Sequence, residues 1–195
     1  MRISVIDSGL GAEAFVSNLK KFNHIEYDLI LDKKHFPYGN KDLMFLKERV
    51  TTLVNDTKND VVIIACNTLS SIILYYKLTF NKIVIDIIKP TVNYIKKIGI
   101  KELTILSTSN TKMIDIYRNH LDIKIQYIDV SDLILSLENN LDISLEKYFN
   151  RLKINYKNVL LGCTHLIKIK DDIRKILPYN IISQDEIFVN LYSIE

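Results

Sequence analysis

The chain has 195 residues, of which 48% are apolar and 25% charged, and its formal net charge is +3. That is ordinary globular composition, with length enough for one domain or two small ones around a substantial core. Lys and Arg are spread along the whole chain rather than gathered on one face, and no apolar stretch approaches bilayer length, so neither a nucleic-acid nor a membrane partner is expected.

The first residues, Met1 to Asp7, lack the long apolar segment and small-residue cleavage site of a signal peptide. With only two cysteines in the chain, this predicts a cytoplasmic protein with free thiols. Strands are predicted at 3–7, 27–31, 61–65, 82–87, 103–106, 123–128, 158–161 and 180–182, each a short run of β-branched and aliphatic residues. After the first strand, Gly9-Leu10-Gly11 has a dinucleotide-like start. It lacks the third glycine and the ribose-binding acid, so the signal is weak. Pro37-Tyr38-Gly39 predicts a turn. Leu43, Leu46, Val50, Leu53 and Val54 recur at three- and four-residue spacing, as one buried helix face requires. Ile88-Lys89-Pro90-Thr91 is the expected crossing point between halves, because proline interrupts the pattern there. A last helix carries Ile167, Ile169, Ile173, Ile176 and Leu177 and stops at Pro178. His24, His35 and His120 read as surface or helix residues.

Strands alternating with helices predict an α/β fold with mostly parallel sheets flanked by helices. The strand ends also repeat. The first strand closes on Asp7-Ser8 and the third on Cys66; the fifth closes on Ser107-Thr108 and the seventh on Cys163. Two similar lobes are therefore expected, 1–90 plus about 185–195 and 91–184, with the active site in the cleft between them. Ligands of open α/β sheets bind at the carboxyl ends of the strands.

Both cysteines stand at such ends, in Val61-Val62-Ile63-Ile64-Ala65-Cys66-Asn67-Thr68 and Val159-Leu160-Leu161-Gly162-Cys163-Thr164-His165. A free cysteine at the end of a buried strand is more often a small core hydrophobe than a catalyst. A matched pair with polar successors points instead to chemistry: two thiols facing one carbon can remove a proton on one side and return it on the other. A Cys66–Cys163 disulfide is the alternative an oxidising compartment would favour. A zinc site built from the thiols and His165 lacks the paired ligand spacing of known zinc sites, so no metal is expected.

The set Ile6-Asp7-Ser8-Gly9-Leu10-Gly11, Phe36-Pro37-Tyr38-Gly39, Ala65-Cys66-Asn67-Thr68, Thr108-Ser109-Asn110-Thr111 and Leu161-Gly162-Cys163-Thr164-His165 resembles glutamate racemase, of the aspartate/glutamate racemase superfamily. The motifs occur in the family's order over nearly the whole chain. The resemblance implies racemisation of glutamate without a cofactor, with Cys66 and Cys163 as the acid/base thiols, Asp7 assisting the first and His165 the second. It implies that Asp7, Ser8, Tyr38, Gly39, Asn67, Thr68, Thr108, Thr111, Thr164 and His165 hold the amino acid, and that Glu138 matches a catalytic carboxylate of the second lobe. His165 favours glutamate, since aspartate racemases tend to carry Glu there. A small-molecule substrate, a homodimer and a role in supplying D-glutamate for peptidoglycan belong to the same implication.

The chain departs from the family in being shorter, through trimmed helices and loops in the second lobe and a clipped C-terminus. Lys89 stands where Glu usually precedes Pro90, Leu166-Ile167 replace Tyr-Pro, and Ala12 replaces Gly. The alternatives are a racemase for aspartate or another amino acid, and a trimmed, non-catalytic protein that binds or regulates.

Overall fold

The computed structural model describes residues 2–20 and 25–192; His24 and the last residues of the expected first lobe, 193–195, lie outside that range. In the first half, β1 (Arg2–Asp7), α1 (Gly11–Lys20), β2 (Glu26–Leu31), α2 (Leu43–Asp56), β3 (Val61–Ile64), α3 (Asn67–Tyr75) and β4 (Ile83–Asp86) follow in order. Helix α4 (Ile88–Ile98) leads to β5 (Glu102–Ser107), α5 (Ser109–Ile114), β6 (Lys124–Asp129), α6 (Ser131–Glu138), α7 (Leu145–Asn150), β7 (Asn158–Leu161), α8 (Lys170–Ile176), β8 (Asn180–Ser183) and α9 (Gln184–Tyr192). The strands form two four-stranded sheets with one repeated permutation, β2-β1-β3-β4 and β6-β5-β7-β8. Every pairing is parallel.

The reason lies in the strand sequences. Ile3, Val5 and Ile6 of β1 and Val62, Ile63 and Ile64 of β3 are buried, as are Leu103, Ile105 and Leu106 of β5 and Val159, Leu160 and Leu161 of β7. Strands without a polar face must be covered by helices on both sides, which is what right-handed crossovers do. In each sheet the chain builds outward from its first strand, then returns to the other side of it. The reversal leaves a crevice at the carboxyl ends of β1 and β3, and again at those of β5 and β7. The repeat extends to single hydrogen bonds. Ala65 N–H donates to Ile6 O at 3.0 Å and Gly162 N–H donates to Leu106 O at 2.9 Å, so a small residue on the sheet precedes each cysteine.

Pro90 does not interrupt the chain as the sequence pattern suggests. It sits in the first turn of α4, where a missing N–H costs no intrahelical bond. Asp86 Oδ1 accepts from Ile88 N–H at 3.1 Å and Lys89 N–H at 2.8 Å, so the helix is capped from β4 and runs unbroken between the sheets. The helix predicted across Ile167–Leu177 is likewise two pieces, a 3-10 turn at Thr164–Ile169 and then α8. The halves are joined by packing. Helix α1 lies against α9 and the 3-10 turn, with Phe15 edge-on to Phe188 at 5.1 Å. No helix among the described residues is long and apolar enough to cross a membrane.

Candidate active site

A cavity of about 180 Å³ lies where the strand ends of the two sheets meet, and both cysteines line it. Cys66 stands between β3 and α3, and Cys163 between β7 and the 3-10 turn. Both are unbridged and buried, at 6% and 8% exposure.

The two sulfurs have different companions. On the Cys66 side, Asp7 ends β1 with its carboxylate fully enclosed. Its Oδ1 accepts Ser8 N–H at 2.7 Å, and its Oδ2 accepts the Thr164 hydroxyl at 2.7 Å across the halves. Burial raises the Asp7 carboxyl above its ordinary range, against the opposing pull of the His165 charge and these hydrogen bonds. Burial, and next the Asp7 charge, push the Cys66 thiol well up, despite N–H groups of Leu69 and Thr68 aimed at the sulfur from the first turn of α3.

On the other side, His165 Nδ1 lies 3.6 Å from Cys163 Sγ, and Nε2 lies 2.7 Å from Glu138 Oε2. Burial alone would lower the imidazole. The Cys163 sulfur, the Asp7 charge and the Glu138 hydrogen bond outweigh it and raise His165 to about 9, so the ring is protonated at neutral pH. Phe36 covers its face, with ring centroids 5.4 Å apart.

Of the residues predicted from sequence, Asp7, Ser8, Tyr38, Gly39, Cys66, Asn67, Thr68, Thr108, Cys163, Thr164 and His165 all line the cavity. Thr68 and Thr108 hydroxyls meet across the halves at 3.0 Å. Tyr38 is anchored through its hydroxyl to Asp32, which also receives Arg49 Nε at 2.7 Å. Two predicted residues stand off the wall. Thr111 lies behind Thr108, with their hydroxyls 3.1 Å apart, and Glu138 lies behind His165, where it also accepts Leu10 N–H at 2.9 Å. Gly9 and Gly11 serve packing: a methyl on Gly9 would meet Glu138 at 2.7 Å, and one on Gly11 would meet Thr164 Oγ1 at 2.4 Å.

Sequence reasoning did not single out Asn40, nor the α6 wall of Ser131, Asp132, Ile134 and Leu135. A polar pair after the strand at Lys124–Asp129 repeats the strand-end signal, but Val130 breaks it. Among the described residues of the wall His165 is the one cation; the rest of the polar lining consists of hydroxyls, amides, the two thiols and the Asp7 and Asp132 carboxyls. Among the described residues no three His, Cys, Asp or Glu side chains converge as metal ligands would. The arrangement can hold a small anion-bearing molecule between two thiols, one beside a carboxyl and the other beside an imidazolium.

No protein-family model matches the chain. Among curated proteins it is 35% identical to a glutamate racemase of Buchnera aphidicola, an alignment covering 95% of this chain and 81% of that one. A glutamate racemase isoform of Bacillus anthracis is similar in structure, with a TM-score of 0.82 at 23% identity, covering 98% of this chain and 79% of that one. The Francisella tularensis glutamate racemase, solved in complex with D-glutamate, gives a TM-score of 0.72 at 24% identity over 98% of this chain and 80% of that one.

Proposed function

This chain belongs to the glutamate racemase family, and from that premise we propose that its two buried thiols are the acid and base of a two-sided proton transfer. The protein is an isomerase that interconverts L- and D-glutamate, a small-molecule substrate. The observation that carries the mechanism is the placement of Cys66 and Cys163 at equivalent strand ends on one cavity.

A glutamate α-proton is very weakly acidic, so the site has to supply a strong base and stabilise the carbanion as it forms. Each pKa unit of mismatch between carbon acid and base adds about 1.36 kcal/mol to the transfer. One sulfur must be ready to accept and the other to donate. Burial and Asp7 hold Cys66 as the thiol, while Cys163 shares a hydrogen bond with a protonated His165. In one direction the Cys163 sulfur takes the α-proton and the Cys66 thiol delivers its own to the opposite face; the reverse direction exchanges the roles. Asp7 takes up or returns charge beside Cys66, and His165, backed by Glu138, does so beside Cys163. Ser8, Tyr38, Gly39, Asn67, Thr68, Thr108 and Thr164 place hydroxyl, amide and backbone donors on the wall, where they stabilise negative charge growing on the substrate carboxylate. Thr111 supports Thr108. This chemistry draws on no cofactor.

The D-glutamate so made serves peptidoglycan synthesis, the cytoplasm is the place of action that free thiols favour, and a homodimer is the assembly the family resemblance carries. We place the lobes at 1–90 with about 185–195, and at 91–184.

Stereochemistry tests the mechanism. Cys66→Ala and Cys163→Ala should each abolish racemisation, because one proton transfer then has no partner. In deuterated water the surviving thiol should exchange the α-proton of only one enantiomer, a different one in each variant, without inverting it. Both reactions need sulfur within roughly 3–3.5 Å of the same carbon. A single variant that still racemises near the wild-type rate, or that exchanges both enantiomers equally, rejects the two-base arrangement.

A further inference from the structure

Asn67 opens α3 directly after Cys66 and lies on the cavity wall, yet most of its amide is engaged from behind. Nδ2 donates to Gln184 Oε1 at 2.6 Å. Oδ1 accepts from Tyr117 Oη at 2.9 Å and from Gln184 Nε2 at 3.2 Å. A primary amide has two N–H donors and two acceptor lone pairs. Gln184 Nε2 also reaches Tyr117 Oη at 3.0 Å, so its two protons are shared among three acceptors. One Asn67 N–H is taken by Gln184, and the donor left for a ligand is the second N–H.

A reciprocal pair of amides has no polarity of its own. Turning both Asn67 and Gln184 over would swap nitrogen for oxygen and keep two hydrogen bonds between them. Tyr117 does not decide the matter, since burial keeps its phenol neutral and a hydroxyl serves either arrangement as donor or acceptor. Thr91 on α4 breaks the tie. Its hydroxyl donates to Ile87 O at 2.7 Å, which commits its one proton. Gln184 Nε2 lies 3.1 Å from that oxygen, so Thr91 can only accept there, and the end of Gln184 facing it must be the NH2. Thr91, Gln184 and Tyr117 are completely buried, so bulk solvent supplies no alternative partner.

We propose that Thr91 is a positioning residue whose hydroxyl, acting through Gln184, orients the Asn67 amide so that it turns an N–H donor toward the cavity. The chemistry this selects is an anionic oxygen, the kind a substrate carboxylate presents. The inverted amide would turn a carbonyl lone pair toward the same oxygen and repel it. The proposal rests on reading the cavity as the glutamate site.

Thr91→Val removes the hydroxyl at nearly constant shape, and Thr91→Ser restores it. Calorimetric affinity for D- and L-glutamate, steady-state kinetics and melting temperature are measured on each. With the tie unbroken the two amide orientations are about equally populated, so Thr91→Val should weaken glutamate binding and raise KM by about twofold, the inverse of the competent fraction, with a smaller change in kcat. Thr91→Ser should bind glutamate with wild-type affinity. If the valine variant fails to fold, Thr91→Ala reads the same hydroxyl. Unchanged affinity in the folded valine or alanine variant overturns the proposal, and so does equal impairment of the serine variant, which would make packing rather than polarity the cause. Wild-type protein that binds glutamate without racemising it would overturn the two-base reading instead, with the Thr91 comparison still decided by the affinities. Wild-type protein that binds no glutamate overturns both.

Discussion

Adding one methyl group, Gly9→Ala, should disable His165 without touching it. The new Cβ would lie 2.7 Å from Glu138 Oε2 and 2.9 Å from Oε1, whereas ordinary contact begins at 3.4 Å. The carboxylate must retreat by roughly 0.7 Å, enough to stretch a normal bond beyond hydrogen-bonding range. Oε2 is pinned by Leu10 N–H at 2.9 Å and His165 Nε2 at 2.7 Å, so one of these is lost. A hydrogen bond to a charged group contributes about 1.5–3 kcal/mol, which predicts a ten- to hundredfold fall in kcat/KM if the His165 bond goes. L- and D-glutamate have equal energy in water, so kcat/KM must fall equally in both directions; any asymmetry can appear only in kcat and KM separately. The pH dependence is the sharper readout. His165 titrates at about 9 in the folded protein against an ordinary 6.5. Its contribution to stability is complete below 6.5 and is lost as pH rises through 9. In Gly9→Ala the alkaline limb of kcat/KM should move from near 9 toward 6.5, and the melting temperature should fall most below 6.5. A folded Gly9→Ala enzyme with wild-type kcat/KM and an unmoved limb would show that Glu138 does not act through His165.

Two further substitutions probe the scaffold. Gly11→Ala drives a methyl to 2.7 Å from the backbone nitrogen of His165, which cannot swing aside as a side chain can, so it should cost about 1–3 kcal/mol by overpacking and lower the melting temperature. A melting temperature equal to wild type would mean that α1 moves freely against the 3-10 turn. Asp32 is held at about 2: burial opposes ionisation, but hydrogen bonds from Arg49, Tyr38 and His35 outweigh it. That stabilisation is present above the ordinary 3.8 and is lost as pH falls through 2. Asp32→Asn should therefore lower the melting temperature at pH 7, converge with wild type near pH 2, and raise KM by loosening Tyr38; parallel pH curves for the two proteins would refute this.

The central strands β1, β3, β5 and β7 were legible because they are apolar runs covered on both faces, a pattern that survives without knowledge of its partners; the half-exposed edge strands β2, β4 and β6 were legible from shorter aliphatic and β-branched runs. The site was legible for a related reason. Asp7, Cys66, Thr108 and Cys163 stand at or just past the carboxyl ends of such runs, and the sheet permutation brings those positions together. What stayed hidden depends on contacts between distant parts of the chain. Nothing near Glu138 in sequence says that it ties Leu10 N–H to His165, and nothing near Gln184 announces Asn67. Thr111 carries the right residue type in the right motif, yet one helical turn sets it behind Thr108. Pro90 misled because a proline in the first turn of a helix leaves the same local signature as a break. Leu135, at 44% exposure, reads as a surface residue on its helix, and only the facing half makes it a cavity wall.

The proposed two-sided transfer gives the molecule a memory of its last event. A turnover that starts with the proton on Cys66 ends with it on Cys163, and the free enzyme is then primed for the product enantiomer rather than for the substrate. To act again in the same direction it must reset, by moving a proton between sulfurs that are 6% and 8% exposed. Such a reset is an isomerisation of the empty protein, felt only when substrate is abundant. Under the proposed mechanism Asp7 and His165, the groups beside those sulfurs, are the conduits through which solvent returns the catalyst to its starting state.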